Sequence, residues 1–380
     1  MEPLVIPDDW TLNGVESAHR LIAQSRGAPL QVNKDWVARR KGAMHDAARL
    51  QLLATWARNA NDKSSLRFHE ANSVDAVLEE LCDYAPGIAA LRLSSGVSVG
   101  GQTISRREAL KPASSKMIST DNMEWANIVK GRTIDFTCVS GSKVQYLRPL
   151  FSSRSKLAVK RKESMYQMLR TLSSYVAKSD SERIPEAFLQ SCAVFASELM
   201  KNTQEHATRD CFGNPYLEHT EGLIVSWIDM DQQFAADFQG HPLLKNLWER
   251  ETKADKSGRG GSLRCLQLSF FDTGPGFAAR ATGVPTSELS TEQERGALLQ
   301  CLQKNNSTKS QIGAGNGIPD VIEVLREIGG MISIRSGRLF VFNSFQPNDT
   351  RELFDFADWH TNDLAEVVGA VVTLLVPIRK

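Results

Sequence analysis

The spacing of apolar residues along the chain predicts where its helices lie. Near the C-terminal end, five apolar residues recur three or four positions apart: Ile318, Val321, Ile322, Leu325 and Ile328. This period places them on one stripe of a helix. Pro319 falls in the first turn and Gly329 follows the last apolar residue, and these are positions where proline and glycine mark helix ends. The same spacing predicts a helix over residues 186–207.

Runs of apolar and β-branched residues predict strands in the same half of the chain. The runs are residues 222–230, 262–271, 331–337, 338–343 and 369–378. A polar insertion at about 231–261 separates the first two, and a helix is predicted at 290–305, where Ser290 and Gln293 fit a capping box. This order of helices and strands predicts the α+β class, with a helical layer on one face of a mixed β-sheet.

The first 150 residues predict a smaller mixed α/β domain. Helical patterns cover two stretches, residues 34–60 and 73–84, and Ser73 is a suitable N-cap for the second. Three short runs have strand character: residues 65–70, 87–94 and 132–140. Glycine and serine between residues 94 and 116 are typical of a loop or hairpin. We expect residues 1–150 to form a regulatory or partner-binding domain.

A basic stretch at residues 151–184 predicts a helical connector between the two halves. Five cations cluster near its start: Arg154, Lys156, Lys160, Arg161 and Lys162. A solvated helix face is the common origin of such a cluster. A patch for a protein partner or a nucleic acid is the alternative, but aromatic residues are not interleaved with these cations.

The composition agrees with a globular protein. The chain has 380 residues, a formal net charge of +1 and 41% hydrophobic residues, so no global field attracts nucleic acids or membranes. None of the six cysteines forms a CxxC pair, which favours reduced thiols over disulfides or a zinc site. The sequence predicts neither a signal peptide nor an apolar run long enough to span a membrane, so we expect a cytoplasmic protein.

Three polar residues interrupt the apolar pattern of the helix predicted at 186–207. Glu198, Asn202 and His206 follow one another at intervals of four, so an α-helix places them along one stripe. A carboxylate, an amide and an imidazole in one row are unusual on a helix whose inward face is apolar. The row therefore indicates a polar site.

A glycine turn follows the strand predicted at 262–271. Asp272 ends the strand, and Gly274 and Gly276 follow it at alternate positions. Glycine lets the backbone turn tightly and approach a ligand closely. A carboxylate at the strand end can accept a hydrogen bond from an exocyclic amine such as that of adenine. A plain turn at the end of a strand is the alternative interpretation.

A second glycine turn precedes the helix that carries the apolar stripe. Gly313, Gly315 and Gly317 alternate directly before it. A helix N-terminus presents free amide groups and the positive end of the helix dipole, so phosphate is its natural ligand. The pattern is neither GxGxxG nor a Walker A loop, which excludes those two classes of nucleotide site. A helix cap with additional glycine is the alternative.

The three motifs, in this order, resemble the GHKL ATPase superfamily of gyrase B subunits, heat-shock chaperones, histidine kinases and mismatch-repair ATPases. The matching residues are Glu198, Asn202, His206, Ala207, Asp272, Gly274, Gly276, Gly313, Gly315 and Gly317. Residues 369–377 are similar to the family's last strand. The resemblance covers about residues 185–380 and implies a Bergerat fold, a two-layer α/β sandwich with a mixed sheet. It implies nothing about residues 1–150.

The resemblance also implies roles for the polar row, with ATP and Mg²⁺ as cofactors. Asn202 matches the residue that ligates Mg²⁺, and an oxygen ligand suits this hard cation. Glu198 matches the general base that activates water in the hydrolysing members. His206 is similar to a histidine near the phosphates in certain kinases and anti-sigma factors.

The glycine turns would bind the nucleotide in such a site. The resemblance implies that Asp272 binds the adenine amine, while Gly274 and Gly276 give room for the base. Residues 278–312 correspond to the ATP lid, and Lys309 would reach a phosphate from it.

Two features depart from the hydrolysing members of the superfamily. Gly369 is followed by Ala370, where those members often carry a threonine near the adenine, so that hydroxyl group is missing unless Thr373 replaces it. No transducer domain with a phosphate-sensing lysine follows the last strand in this sequence. Both departures lead us to expect slow hydrolysis at most.

Three functions therefore stay open at the level of the sequence. The first is a Mg-ATP-dependent conformational switch with slow hydrolysis, working with a protein partner or as a homodimer within an assembly. The second is a protein kinase, either of histidine-kinase type, for which His45 would be the internal phosphoacceptor, or of anti-sigma-factor type, which needs no internal acceptor. The third is an ATP-binding scaffold without catalysis. We expect no membrane partner, and a nucleic acid only if the basic cluster binds one.

Overall fold

A computed structural model describes residues 2–33, 35–36, 39–60, 66–68, 73–140, 149–152, 158–216, 218–253, 261–303 and 317–379. The α-helices are α1 (Leu12–Gln24), α2 (Ala43–Asn59), α3 (Val74–Cys82), α4 (Ala85–Leu93), α5 (Arg106–Ala109), α6 (Ala113–Asp121), α7 (Trp125–Ile128), α8 (Lys162–Ala177), α9 (Glu186–Asn202), α10 (Pro242–Lys253), α11 (Phe277–Thr282), α12 (Thr291–Leu302) and α13 (Gly317–Ile328). The strands are β1 (Leu4–Val5), β2 (Leu30–Gln31), β3 (Leu66–Phe68), β4 (Gly96–Val99), β5 (Gln102–Ser105), β6 (Thr133–Ser140), β7 (His219–Met230), β8 (Leu263–Asp272), β9 (Met331–Gly337), β10 (Leu339–Ser344), β11 (Ala357–Asp358) and β12 (Val367–Pro377). The predicted α+β class is confirmed.

A seven-stranded sheet organises most of the molecule, in the order β11-β10-β9-β12-β8-β7-β6. Its described pairings are all antiparallel, whereas we expected a mixed sheet in this half of the chain. The reason is local: a tight turn joins β9 to β10, and β12 runs back between β9 and β8. Strand β6 pairs with β7 from Thr133 to Ser140, so this sheet begins before the domain boundary that we placed at residue 150.

Helices α8, α9 and α13 cover one face of this sheet. Their apolar side chains join those of the strands in a continuous core. Helix α8 lies in the range we assigned to a connector, but Met165, Leu169 and Leu172 are fully buried in this core. The apolar stripe of the predicted connector is therefore part of the helical layer. Of the basic cluster, Arg161 and Lys162 are exposed and Lys160 is buried, whereas Arg154 and Lys156 lie outside the described residues.

Helix α2 covers the opposite face, so the sheet has helices on both sides rather than the single helical layer that we expected. Its side chains are buried around most of its circumference, as in helices that pass through a protein core. Two sheet side chains cap its first turn: Ser226 Oγ accepts from the Ala43 amide at 2.7 Å, and Gln267 Oε1 accepts from the Met44 amide at 3.1 Å. The helix is thus fixed to the sheet at its N-terminus.

The N-terminal region has its own five-stranded mixed sheet, in the order β1-β2-β3-β4-β5. The hairpin expected between residues 94 and 116 is formed by β4 and β5 and is followed by α5 and α6. Residues 87–94, which we predicted as a strand, instead belong to helix α4. Pro86 occupies the first turn of α4, and a short buried apolar run without alternation does not distinguish strand from helix.

The polar insertion and the segment predicted as an ATP lid both contain helices. The polar insertion at about 231–261 holds α10, whose Leu244, Leu247 and Trp248 are buried against the second face. The segment predicted as an ATP lid holds α11 and α12, and the capping box at Ser290 is confirmed. Within the described residues, no helix combines the length and apolar character needed to cross a bilayer.

Candidate functional site

The turn after β8 brings the second sequence motif against the first. The Asp272 carboxylate accepts a hydrogen bond from the Gly274 amide at 2.8 Å, which holds the turn closed. A Cβ atom on Gly274 would lie 2.6 Å from the Cβ of Ala207, closer than two carbon atoms can approach. Glycine at this position therefore lets the turn pack directly on the end of the polar helix.

The last strand closes the same turn from the other side. The Gly369 amide donates to the Gly274 carbonyl oxygen at 2.7 Å, and Gly369 has a φ of 70°. A Cβ atom on Gly369 would lie 1.9 Å from the Asp272 carbonyl oxygen. Gly369 is the first residue of the segment that is similar to the family's last strand. Glycine is required there because two backbones approach each other closely.

The third motif begins against the first. The Gly317 amide, at the start of α13, donates to Glu198 Oε2 at 2.6 Å. A Cβ atom on Gly317 would lie 2.7 Å from the Cα of Phe195, so α13 approaches α9 closely at this point. The other predicted residues of this motif, Gly313 and Gly315, and Lys309 of the lid lie outside the described residues.

These contacts border a narrow cavity of about 10 Å³ at the end of β8, with room for about one water molecule. Its lining residues are Leu199, Ala207, Asp272, Gly276, Phe277, Arg280 and Ala370. Ligand pockets usually hold roughly 300–1,000 Å³, so the cavity must widen before a ring system can enter it. Its walls are apolar except for a carboxylate and a guanidinium group.

Arg280 was not among the residues predicted from the sequence. It lies one turn after Gly276 on α11, and its guanidinium carbon is 5.3 Å from the ring centroid of Phe277. The only sequence feature that could have indicated Arg280 is its position in the first helical turn after the glycine motif. It supplies the cavity with a positive charge near the carboxylate.

The environment of Asp272 sets the pKa of its carboxyl group. Burial raises this pKa to about 6, while the Gly274 amide and the positive charge of Arg280 act in the opposite direction. At neutral pH the carboxyl group is therefore mainly ionised and can accept hydrogen bonds. It is one of the two ionisable side chains in the cavity wall.

The polar row predicted on the first helix is not one continuous stripe. Glu198 and Asn202 lie one turn apart in the last part of α9, but residues Thr203–Ala207 form a π-helical turn. Because a π turn is wider than an α turn, His206 leaves the line of the other two. Its side chain is 43% exposed and lies 3.8 Å from the carboxylate of Glu205.

Behind the cavity lies a buried polar cluster that we did not predict. Glu221 of β7 stands directly opposite Asp272 of β8 in the sheet register. The amide nitrogen of Gln204, in the π turn, donates to Glu221 Oε1, and Nε2 of His219 lies 4.0 Å from Glu221 Oε2. The only sequence signal for this cluster was the presence of polar residues on the strand beside Asp272. Which of them lies opposite Asp272 depends on the strand register, which only the structure shows.

His45, the candidate internal phosphoacceptor, lies far from solvent. It is fully buried, and its Nε2 lies 2.9 Å from Asp237 Oδ2. Its ring also packs on Phe234 at a centroid distance of 4.2 Å. In this arrangement the imidazole is a structural contact between α2 and the 3₁₀ turn at Gln232–Phe238, and it is not open to phosphorylation.

Comparison with protein-family models, with curated proteins and with solved structures gives no match for this chain. Among the residues that the structure describes, no group of three or more histidine, cysteine, aspartate or glutamate side chains could hold a metal ion.

Proposed function

We propose that the cavity beside Asp272 binds the base of ATP and that the protein is a nucleotide-dependent conformational switch of the GHKL type. One observation carries this proposal: the separate sequence motifs pack against one another at the end of α9. Glu198 and Gly317 are 119 positions apart and share a hydrogen bond, and Gly274 contacts both Ala207 and Gly369. Random glycine turns would not be expected to converge in this way.

In this proposal the cavity recognises the adenine. The ionised carboxylate of Asp272 accepts a hydrogen bond from the exocyclic amine, and the apolar walls formed by Leu199, Phe277 and Ala370 pack against the ring. The cavity is narrower than a base in this structure, so the proposal requires α11, which carries Phe277 and Arg280, to move outward when the base binds. Arg280 would bind the ring face or a phosphate oxygen, because guanidinium groups suit both.

Asn202 is the proposed ligand of Mg²⁺. Its carboxamide oxygen is the kind of ligand that hard cations prefer. Asn202 lies one helical turn after Glu198, whose carboxylate contacts the start of α13. Mg²⁺ commonly takes only one or two protein oxygens and keeps phosphate and water oxygens as its other ligands. When bound, it would neutralise phosphate charge.

Glu198 is the proposed general base for slow hydrolysis. In this structure its Oε2 accepts from the Gly317 amide, so the helix start that follows the lid orients the carboxylate. The same hydrogen bond favours a second candidate function, an ATP-binding scaffold without hydrolysis, because it occupies one of the oxygens that a water molecule would need.

The proposed setting is a multi-protein assembly or a homodimer in the cytoplasm. The six cysteines are free thiols, and four of them are buried, which agrees with a reducing compartment. A conformational change at the start of α13 would be transmitted through the sheet to α2, because these two helices pack on opposite faces of the sheet.

Three assays on the intact protein test this function. Phosphate release that Glu198→Gln abolishes, while ATP binding persists, would support the hydrolysing switch. If the wild type and Glu198→Gln bind ATP equally and neither releases phosphate, the result would support the scaffold. Transfer of labelled γ-phosphate to the protein or to a partner would support a kinase. Absence of Mg-ATP binding would contradict the whole proposal.

A further inference from the structure

Two acidic residues are neighbours beside the candidate base cavity: Asp272 lines it, and Glu221 lies next to Asp272 but outside the lining, so a base would reach Glu221 only when the cavity widens. Glu221 and Asp272 are direct partners in the antiparallel pairing of β7 and β8, so their side chains extend from the same face of the sheet. Such partners have Cβ atoms about 5 Å apart. Glu221 is 1% exposed, so a second acid stands beside Asp272 without access to bulk water.

The cluster around Glu221 contains three buried polar atoms without a hydrogen-bond partner among the described residues. They are Glu221 Oε2, His219 Nε2 and Gln204 Oε1. Nearly all buried polar groups in proteins are hydrogen-bonded, so three such atoms in one cluster indicate a binding position for a further polar group. The other Glu221 oxygen, Oε1, already accepts from the Gln204 amide nitrogen.

The charges around Glu221 determine which hydrogen bond it can form. Burial and the neighbouring Asp272 both raise the Glu221 pKa well above its ordinary value, which favours the protonated form of its carboxyl group. Burial and the nearby Arg58 lower the pKa of His219 to about 3, which leaves this imidazole neutral. Other ionisable neighbours are Arg280 and Tyr216, which interact with Asp272, and Cys138, opposite Glu221 on β6.

We propose that Glu221 is a second specificity-determining residue of the base site, donating a hydrogen bond to a purine ring nitrogen while Asp272 accepts one from the exocyclic amine. This proposal rests on the nucleotide-binding function proposed above. Adenine offers these two groups side by side, an amine donor and the N1 acceptor. Hypoxanthine and guanine offer the opposite pair, a carbonyl acceptor and an N1–H donor, so they would place acceptor against acceptor and donor against donor.

The arrangement also explains how the site works without the threonine that we noted as missing after Gly369. Ala370 pairs with Asp272 on the β12 side and provides no hydroxyl group, while Glu221 pairs with Asp272 on the β7 side. The second polar contact to the base therefore comes from the opposite neighbouring strand. Gln204 holds Glu221 from the π turn, which connects base recognition to the end of α9.

The test compares the affinities of ATP and inosine triphosphate for the intact wild-type protein and two Glu221 variants, by titration calorimetry with Mg²⁺ at pH 7.5. Inosine triphosphate mismatches both Asp272 and Glu221, so we expect the wild type to prefer ATP by about 100-fold or more, at about 10-fold or more for each mismatched pair of buried hydrogen-bonding groups. In Glu221→Gln the amide nitrogen keeps a donor and the amide oxygen still accepts from Gln204, so the preference should persist. In Glu221→Met, of similar volume, only the mismatch at Asp272 remains, so the preference should fall by about 10-fold.

Glu249→Gln is the control, because Glu249 lies on α10, away from the cavity, and forms an exposed ion pair with Lys245. It should keep the wild-type preference. An unchanged preference in a folded Glu221→Met, verified by circular dichroism, would overturn the role of Glu221 alone. Equal wild-type affinities for the two nucleotides would overturn it as well. Binding of neither nucleotide by the wild type would overturn both this inference and the proposed function.

Discussion

At the scale of single residues, the site depends on carboxyl groups that the fold shields from water. The sequence indicated Asp272 because a strand end followed by alternating glycines is a local pattern. Glu221 and Arg280 gave no such pattern, because their relation to Asp272 arises from strand pairing and from the first turn of α11. Local sequence motifs therefore do not predict residues that come together only through tertiary structure.

Asp272→Asn should make the ligand-free protein more stable at pH 8. The Asp272 pKa is about 6 in the folded chain and about 3.8 ordinarily, so the folded state binds more protons between these values. Stability then falls as pH rises from about 4 to about 6, and the loss is complete above that range. We expect a gain of about 1–3 kcal/mol for the variant at pH 8 and almost none at pH 4. Urea unfolding at both pH values measures the change in the free energy of unfolding. Equal gains at pH 4 and pH 8 would contradict a buried charge on Asp272.

Arg280→Gln should weaken nucleotide binding by about 5- to 50-fold, as expected for the loss of one charged contact. It should also raise the Asp272 pKa further, because the positive charge of Arg280 lowers it in the wild type. Fluorescent-nucleotide titration between pH 5.5 and 8 reports both effects. Arg326→Gln, on the exposed side of α13, is the control and should bind like the wild type. Identical binding by both variants would remove Arg280 from the site.

At the scale of elements, glycines allow α9, α13 and the β8 turn to approach one another. Helices and strands of the second half were predictable because their apolar periods are regular. The π turn after Asn202 was not, because no residue type marks it, and it moves His206 out of the predicted row. The strand prediction for residues 87–94 was wrong because burial on all sides erases the period that distinguishes helix from strand.

Gly317→Ala should destabilise the protein by about 1–3 kcal/mol, because its Cβ would press on the backbone of Phe195. Gly296→Ala is the matched control within α12, where a Cβ atom meets nothing within 4 Å. Replacing a helical glycine with alanine there should add about 0.5–1 kcal/mol of stability. Thermal and urea unfolding measure both changes. A neutral Gly317→Ala would contradict the close approach of α13 to α9.

At the scale of the whole molecule, the N-terminal region and the second half are one packed structure. Asp135 of β6 is fully buried and pairs with Arg40 at 2.9 Å and with Lys116 at 2.8 Å, both from the N-terminal region. The resemblance concerned only residues 185–380, so it could not predict that α2 covers the second face or that β6 completes the sheet. The α+β class was predictable, but this arrangement was not.

Asp135→Ala should cost about 3–5 kcal/mol, because it leaves two buried cations without their carboxylate. Asp229→Ala makes the same change in the neighbouring strand, where the ion pair with Arg264 is partly exposed, and should cost less than about 1 kcal/mol. Urea unfolding of both variants at pH 7 gives the comparison. Similar costs for the two would mean that the buried network does not join the two regions.

The most direct test of the central claim is the affinity of Mg-ATP for the wild type and for Asp272→Asn, measured by titration calorimetry at pH 7.5. We expect the wild type to bind and the variant to bind at least about tenfold more weakly, because an amide replaces the charged acceptor of the adenine amine. Inorganic tripolyphosphate, which lacks a base, should bind both proteins equally. Equal ATP affinity for the two proteins, or no binding by the wild type, would contradict the assignment of the cavity to the base of ATP.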